Sequence, residues 1–434
     1  MSRISALLVL SLCACDNQNQ PVAGPTDASV PEAQVVVDSS SAADAAREPF
    51  AQCPAPPLLA DGVTLQANVL SWDAQAIGDS DCPLLALDRL VASARLICSG
   101  ENSHGVLEAK QLHAALARYL VLKHNVRVIA VEYGLARMDA WQRALEADDE
   151  RLLVGHMKRH SELPFWRAVA GLRRAGAPTL RFAGFDIAVT LTDAIDNTLS
   201  FLQRVDAEYG KQIEPDLRGA LIKANQAAQQ IKSRINERRA SYVTTVGDAV
   251  VDRQLWNLDN LIAAFSFYTR MDTNDFWAAN AEFREPALYS NTQRILATLK
   301  PGEKMLMVTH NLHCSKNLAL GTNADGQSVD AVGTTLSKTL GQSYAAIGQL
   351  YGGGNESQGL TASAYPEWPN TLEVELMRNT TAPLLLLPIR GKPFGVDLER
   401  SWWTIYGWAQ EAHQMSALYD AIGWVRQVTP DHDL

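Results

Sequence analysis

Between Ala94 and Gly105 the chain reads Ala-Arg-Leu-Ile-Cys-Ser-Gly-Glu-Asn-Ser-His-Gly. A short apolar run, Leu96-Ile97-Cys98, breaks at Gly100, and Glu101 and His104 follow three residues apart. A carboxylate and an imidazole at that spacing can meet the same bound water, the acid holding the ring while the ring takes a proton. Three more runs end in the same kind of group. Val126–Gly134 delivers Glu132, Thr179–Asp186 ends in Asp186, and Lys304–His310 ends in His310 with His313 three residues on. If the residues after His310 turn helical, both imidazoles lie on one face.

Ends of neighbouring strands in a parallel sheet converge on one crevice, so these groups can share a site. Two chemistries fit them. In one, a histidine held by a carboxylate removes a proton from water, which attacks a carbonyl. In the other, three histidines and a carboxylate bind a divalent metal that activates the water. The spacing matches no zinc signature, and the first chemistry needs only correctly oriented groups, so it is favoured. A covalent nucleophile is disfavoured. Asn102-Ser103-His104-Gly105 has Glu101 where a nucleophile elbow needs glycine, so Ser103 reads as a helix N-terminal residue. Cys314, beside His313, reads as structural. His113 lies on the segment after His104 and could face the crevice; the remaining histidines read as surface or capping residues. Trp402, Trp403 and Trp408 suit either an aromatic wall for a bulky substrate or the cover of a core edge.

The elements that must position these groups follow from periodicity. The run ending in Glu132 is β-branched and looks like a buried parallel strand, and the runs ending in Asp186 and His310 repeat the pattern. Val106 to His124 is an amphipathic helix, which makes 94–124 a strand–turn–helix corner. Tyr344–Leu350, Ala382–Pro388 and Asp420–Arg426 are further strands, and Leu84–Val91 an early helix. Residues 190–295 lack strand signals, and Ile187–Tyr209, Glu214–Arg239 and Ala249–Arg270 read as long amphipathic helices. The expected fold is α/β: a mostly parallel central sheet flanked by helices, with a long helical insertion at 190–295 packed over the C-terminal strand ends.

Composition narrows the function. The 434 residues are 47% hydrophobic and 20% charged, as in a globular protein with a sizeable core. The formal net charge of −10, with no basic cluster against it, makes nucleic acid an unlikely partner by electrostatics. Met1-Ser-Arg3, the apolar run Ile4–Leu12 and Leu12-Cys13-Ala14-Cys15 look like a bacterial lipoprotein leader. That reading makes 1–14 a signal peptide and Cys15 the lipidated residue, anchored in the cell envelope and facing the periplasm. Asp16 after Cys15 resembles a sorting signal that in some bacteria implies retention in the inner membrane, and the sequence by itself does not choose between inner and outer membrane. Residues 15–50, rich in Ala, Ser, Asp and Pro, are a disordered linker, and 51–434 is the catalytic domain, its fold beginning near Pro54. No later stretch reaches the ~18 uninterrupted apolar residues of a membrane span. Of the remaining cysteines, Cys53 and Cys82 are the expected disulfide pair if any exists, while Cys98 and Cys314 read as small buried hydrophobes.

Taken together, Gly100-Glu-Asn-Ser-His104-Gly, Val131-Glu132, Gly184-Phe-Asp186, Arg284-Glu285, Thr309-His-Asn-Leu-His313 and Tyr344-Ala-Ala-Ile-Gly348 resemble the motifs of the erythromycin esterase family. Order and spacing agree over residues 85–350, and Tyr419-Asp-Ala-Ile-Gly-Trp is similar to the family's closing segment. The resemblance implies an α/β core with helical additions. It also implies hydrolysis of macrolide lactones, and with it antibiotic resistance, requiring neither a metal nor another cofactor. By the same resemblance His104 is the general base, and Glu101, Glu132, His310 and His313 position water and polarise the lactone carbonyl. Arg284, Asp186 and His113 fall on the substrate-binding side. The chain departs from the family pattern twice: Glu285 stands where Asp usually follows the arginine, and His113 stands where esterases carry a more basic residue, which implies different substrate contacts there. Two alternatives stay open: a metal-dependent hydrolase or protease using the same cluster, and a haem- or iron-binding envelope lipoprotein.

Overall fold

The computed structural model describes residues 82–153, 155–157, 162–188, 191–271, 276–322, 326–354, 371–379, 384–388, 402–406 and 409–431. The leader with Cys15, the 15–50 linker, Cys53, the domain start near Pro54 and Trp408 lie outside the described residues.

Among the described residues seven strands form the central sheet: β1 (Leu96–Glu101), β2 (Val126–Gly134), β3 (Arg181–Asp186), β4 (Lys304–His310), β5 (Tyr344–Tyr351), β6 (Leu384–Pro388) and β7 (Ala421–Val425). Their order is β3-β2-β4-β1-β5-β7-β6. Every pairing is parallel except that of β6 with β7. Every residue of β1, β5 and β7 is buried. Helices cover both faces of such strands, so no polar alternation interrupts them.

Helix α1 (Leu107–Lys123) follows β1, and α2 (Leu135–Ala147) and α3 (Glu162–Arg174) lie between β2 and β3. The expected insertion is present as α4 (Leu191–Val205), α5 (Ala207–Leu217), α6 (Leu221–Glu237), α7 (Arg239–Val246) and α8 (Asp248–Met271). These helices bury a core of their own, with Leu202, Leu217, Ile231, Ile235 and Leu258 at its centre. The span expected as one helix from Ile187 to Tyr209 is broken at Asp206, whose carboxylate accepts bonds from Arg234 at 2.8 Å and Tyr242 at 2.7 Å. The chain returns to the sheet through a π-helical turn, Asn280–Arg284, and α9 (Glu285–Ala297). After β4 come the short α10 (Asn311–Cys314) and α11 (Val332–Leu340). No helix among the described residues is long and apolar enough to cross a membrane.

One cysteine expectation is corrected. Cys98 and Cys314 are not separate thiols but a disulfide spanning 216 residues of sequence, with Cα atoms 5.7 Å apart. Strand order explains it. Because β4 lies directly against β1, the helix that follows β4 is carried back over the face to which Cys98 points.

Candidate active site

Register assembles the site. Across β1 and β4, Gly100 pairs with Thr309 and Glu101 with His310; across β2 and β4, Val131 pairs with Val308. Glu101 and His310 therefore arrive at one level of the C-terminal sheet edge, and Glu132, the residue after Val131, stands one step before them. On the other flank, pairing of β1 with β5 stops at Ser99–Ile347. Beyond that point the Asn311 amide takes the place of the missing strand contact. Its Nδ2 donates to the Gln349 carbonyl at 2.6 Å, and its Oδ1 accepts from the Gln349 N–H at 3.0 Å. Position 100 must be glycine there, since a Cβ would stand 2.4 Å from Asn311 Oδ1. The two strands part around this peg, and a parting of strands at the carboxyl edge is where α/β sheets hold ligands.

On the β1 side, Glu101 is almost wholly buried and surrounded by donors. His104 Nδ1 lies 2.7 Å from its Oε1, Lys110 Nζ donates to both oxygens at 2.6 Å, and His113 Nε2 lies 3.3 Å from Oε2. His113 is fully buried, and its Nδ1 meets Ser99 Oγ at 2.8 Å, so it stands behind the acid as a support. Burial pushes the Glu101 carboxyl up, but Lys110 foremost, with His104 and His113, outweighs it and holds it well below the usual range. Burial depresses His113 despite the adjacent carboxylate, which keeps the ring neutral. His104 is the open member, with 34% of its side chain exposed.

The β2–β4 side is closed. Glu132 accepts from Arg284 at 2.7 Å on one oxygen, and from Thr309 Oγ1 at 2.6 Å and the His310 N–H at 2.7 Å on the other. Arg284 also grips Asp186 with two bonds of 2.9 Å, and Asp186 Oδ1 accepts the N–H groups of Ile187 and Ala188. Burial opposes the charge of both partners. Asp186 and Glu132 nonetheless hold the Arg284 guanidinium above its ordinary value, and His313, His104 and Arg284 hold Glu132 far below its own. His310 is neutral by construction. Its Nδ1 accepts from the Leu312 N–H at 3.2 Å, so Nε2 carries the proton, given to the Asn102 carbonyl at 2.9 Å. Burial and nearby His104 push it down to about 3. His313 goes the other way: burial works against its charge, but Glu285, 2.9 Å from Nδ1, and Glu132, 3.4 Å from Nε2, raise it.

The two sides meet where the His104 and His310 rings stand edge to face, centroids 5.4 Å apart. The structure thus brings Glu101, His104, Glu132, His310 and His313 together, with Arg284 bridging Glu132 and Asp186 and with His113 beneath Glu101. Sequence reasoning missed three parts. Lys110 was never singled out, although it shares a helical face with His113 one turn on. Glu285 was noted only as a departure, yet its second oxygen accepts the Val332 N–H at 2.6 Å and so fixes α11 while its first faces His313. Asn311 lay inside a quoted motif without a role. Among the described residues no group of three His, Cys, Asp or Glu side chains is disposed to hold a metal ion. The carboxylates are turned instead onto Arg284, Lys110 and backbone N–H groups.

The family model of the erythromycin esterases matches residues 121–428, a span that holds Glu132, Asp186, Arg284, His310 and His313. No curated protein matches the chain. Among solved structures, one of a Bacillus cereus protein is similar over 86% of this chain and 97% of its own, at 17% identity and a TM-score of 0.63. A succinoglycan biosynthesis protein is similar over 85% of this chain and 96% of its own, at 14% identity and a TM-score of 0.63. A mutant of the erythromycin esterase EreC in an open conformation is similar over 80% of this chain and 94% of its own, at 16% identity and a TM-score of 0.60. At such identities these structures speak for the fold, which is the expected α/β arrangement, and the family match speaks for the chemistry at the level of ester hydrolysis. The chain belongs to the erythromycin esterase family.

Proposed function

We propose that this chain hydrolyses carboxylic esters, macrolide lactones among them, by general-base activation of water at His104 without a metal ion. The carrying observation is the contrast among the imidazoles: 34% of the His104 side chain is exposed, against 0% for His113 and 4% for His313. Nδ1 of His104 is committed to Glu101, which leaves Nε2 as the basic nitrogen. In this reading a water in the crevice gives its proton to Nε2 while its oxygen attacks the carbonyl carbon. The tetrahedral intermediate collapses, the ester C–O bond breaks, and His104 returns the proton to the departing alkoxide. Glu101 fixes the ring, and Glu132, His310 and His313 orient water and carbonyl. Metal independence is supported by the donor set, since the Arg284 guanidinium occupies the place between Glu132 and Asp186 that a cation would take.

The test is incubation of purified protein with erythromycin, in the presence and absence of chelator, read by mass spectrometry. The expected product is the macrolide plus one water, formed at the same rate in both. No such product from any macrolide removes the macrolide substrate, and activity abolished by chelator and restored by a divalent metal removes the metal-free mechanism.

A further inference from the structure

Lys110 is built into the site and has no part in the reaction as assigned. Its Nζ lies 2.6 Å from both oxygens of Glu101, and its side chain is only 18% exposed, although lysines ordinarily extend into water. It sits one helical turn before His113 on α1, so the two residues close on the carboxylate from the same helix face. Burial disfavours charge on His113, whereas Lys110 brings an ammonium against both oxygens of this carboxylate. The charge around His104 is otherwise mixed. His310 faces it from β4, Glu132 and Arg284 lie beyond on the closed side, and the C-terminal segment packs Asp431 against Gly105.

Resting on the reading of His104 as the proton acceptor, we propose that Lys110 is a positioning residue for that histidine. By chelating both oxygens of Glu101 it fixes the carboxylate under His104 Nδ1 and offsets its charge, so that His104 meets a neutral ion pair. A bare buried carboxylate at 2.7 Å would draw a proton onto the imidazole and fill the lone pair that the reaction needs. In support, Lys110 is the strongest of the influences that oppose burial in keeping Glu101 ionised. The ammonium is a compact point charge, and Arg can replace it in sign though not in shape.

The experiment is an NMR titration of ring-labelled histidine in the full chain, with the His104 signal identified among the nine histidines by its loss in His104→Gln. Lys110→Met should raise the His104 midpoint by about one pH unit relative to wild type, the size expected for uncovering a neighbouring opposite charge. Lys110→Arg should return it most of the way, a rescue that a purely structural role would not give. Lys110→Gln serves if the methionine variant does not fold. An unchanged midpoint in a folded, charge-removed variant overturns the proposal. The titration does not depend on turnover, so its outcome and that of the ester assay are read separately. Where an ester is hydrolysed, the acid limb of kcat/KM should move to higher pH in the same variants.

Discussion

On the β1 side of the crevice Glu101 meets His104, Lys110 and His113; on the β2–β4 side Glu132 meets Arg284, His310 and His313. Both halves are a buried carboxylate with a cation and imidazoles, but the cations differ in kind. Arg284 is a rigid fork that satisfies two carboxylates at once, helped by three backbone N–H groups, and no oxygen of Glu132 or Asp186 needs solvent. Lys110 is a single ammonium on a flexible stem, and the imidazole beside it is partly exposed. The closed half has the features of preorganisation, with geometry fixed before any substrate arrives. The open half holds the imidazole that solvent reaches, with 34% of the His104 side chain exposed. In the proposed reading, two similar sets of groups are thus divided by burial and by the choice of cation into a frame and a working part.

The sharpest way to break that division is to exchange the expected outcomes of its two central residues. His104→Gln should lower ester hydrolysis by about 10²–10⁴-fold, the usual worth of a general base. Its thermal stability should stay near wild type, because a partly exposed side chain is lost. Arg284→Met should do the reverse in emphasis. It leaves Glu132 and Asp186 buried with no guanidinium, and removing one partner of a buried ion pair costs about 3–5 kcal/mol. Denaturant unfolding followed by circular dichroism, with hydrolysis measured on the same samples, separates the two. A His104→Gln protein as destabilised as Arg284→Met would erase the distinction between frame and working part.

Much of this was legible in advance, for a physical reason. Buried strands are rich in apolar and β-branched residues, so the seven sheet strands stood out, and four of them carry Glu101, Glu132, Asp186 and His310 at or near their ends. Other features depend on how elements dock. That Lys110 reaches Glu101 depends on how α1 lies against β1, which helix periodicity does not express. The π turn that aims Arg284 at both carboxylates has no pattern distinct from the helices around it, and π turns of this kind recur at functional sites. The break at Asp206 comes from Arg234 and Tyr242, which are distant in sequence. The Cys98–Cys314 bridge required the strand order, because only the insertion of β4 between β2 and β1 brings those positions together.

That bridge ties one half of the site to the other, since Cys98 lies three residues before Glu101 and Cys314 follows His313. Replacing both cysteines with alanine should lower unfolding stability by about 2–4 kcal/mol, the typical loss for a long closed loop. The chain should still fold and hydrolyse ester, because the strand register and the Asn311 peg align the halves without it. A loss of hydrolysis greater than about tenfold with folding intact would mean that the bridge, and not the register, sets the alignment.

The finest test lies within the closed half, where His310 and His313 are expected to answer pH in opposite directions. His310 is pushed down to about 3 by burial and by His104, whereas an unfolded histidine titrates near 6.5. Between those values the unfolded chain holds the extra proton, so acid weakens the fold through this residue by up to about 1.4 kcal/mol per pH unit. His313 is raised, so its contribution is complete below the unfolded value and is lost as pH rises through its folded one. His310→Asn should therefore cost stability at neutral pH, through the bond to the Asn102 carbonyl, and recover part of that cost as the pH is lowered toward 4. Unfolding free energies of wild type and variant, measured by urea titration from pH 7 to 4, should converge toward acid. Parallel curves would mean that His310 takes up its proton in the folded state, and its burial would then not be what closes this half of the site.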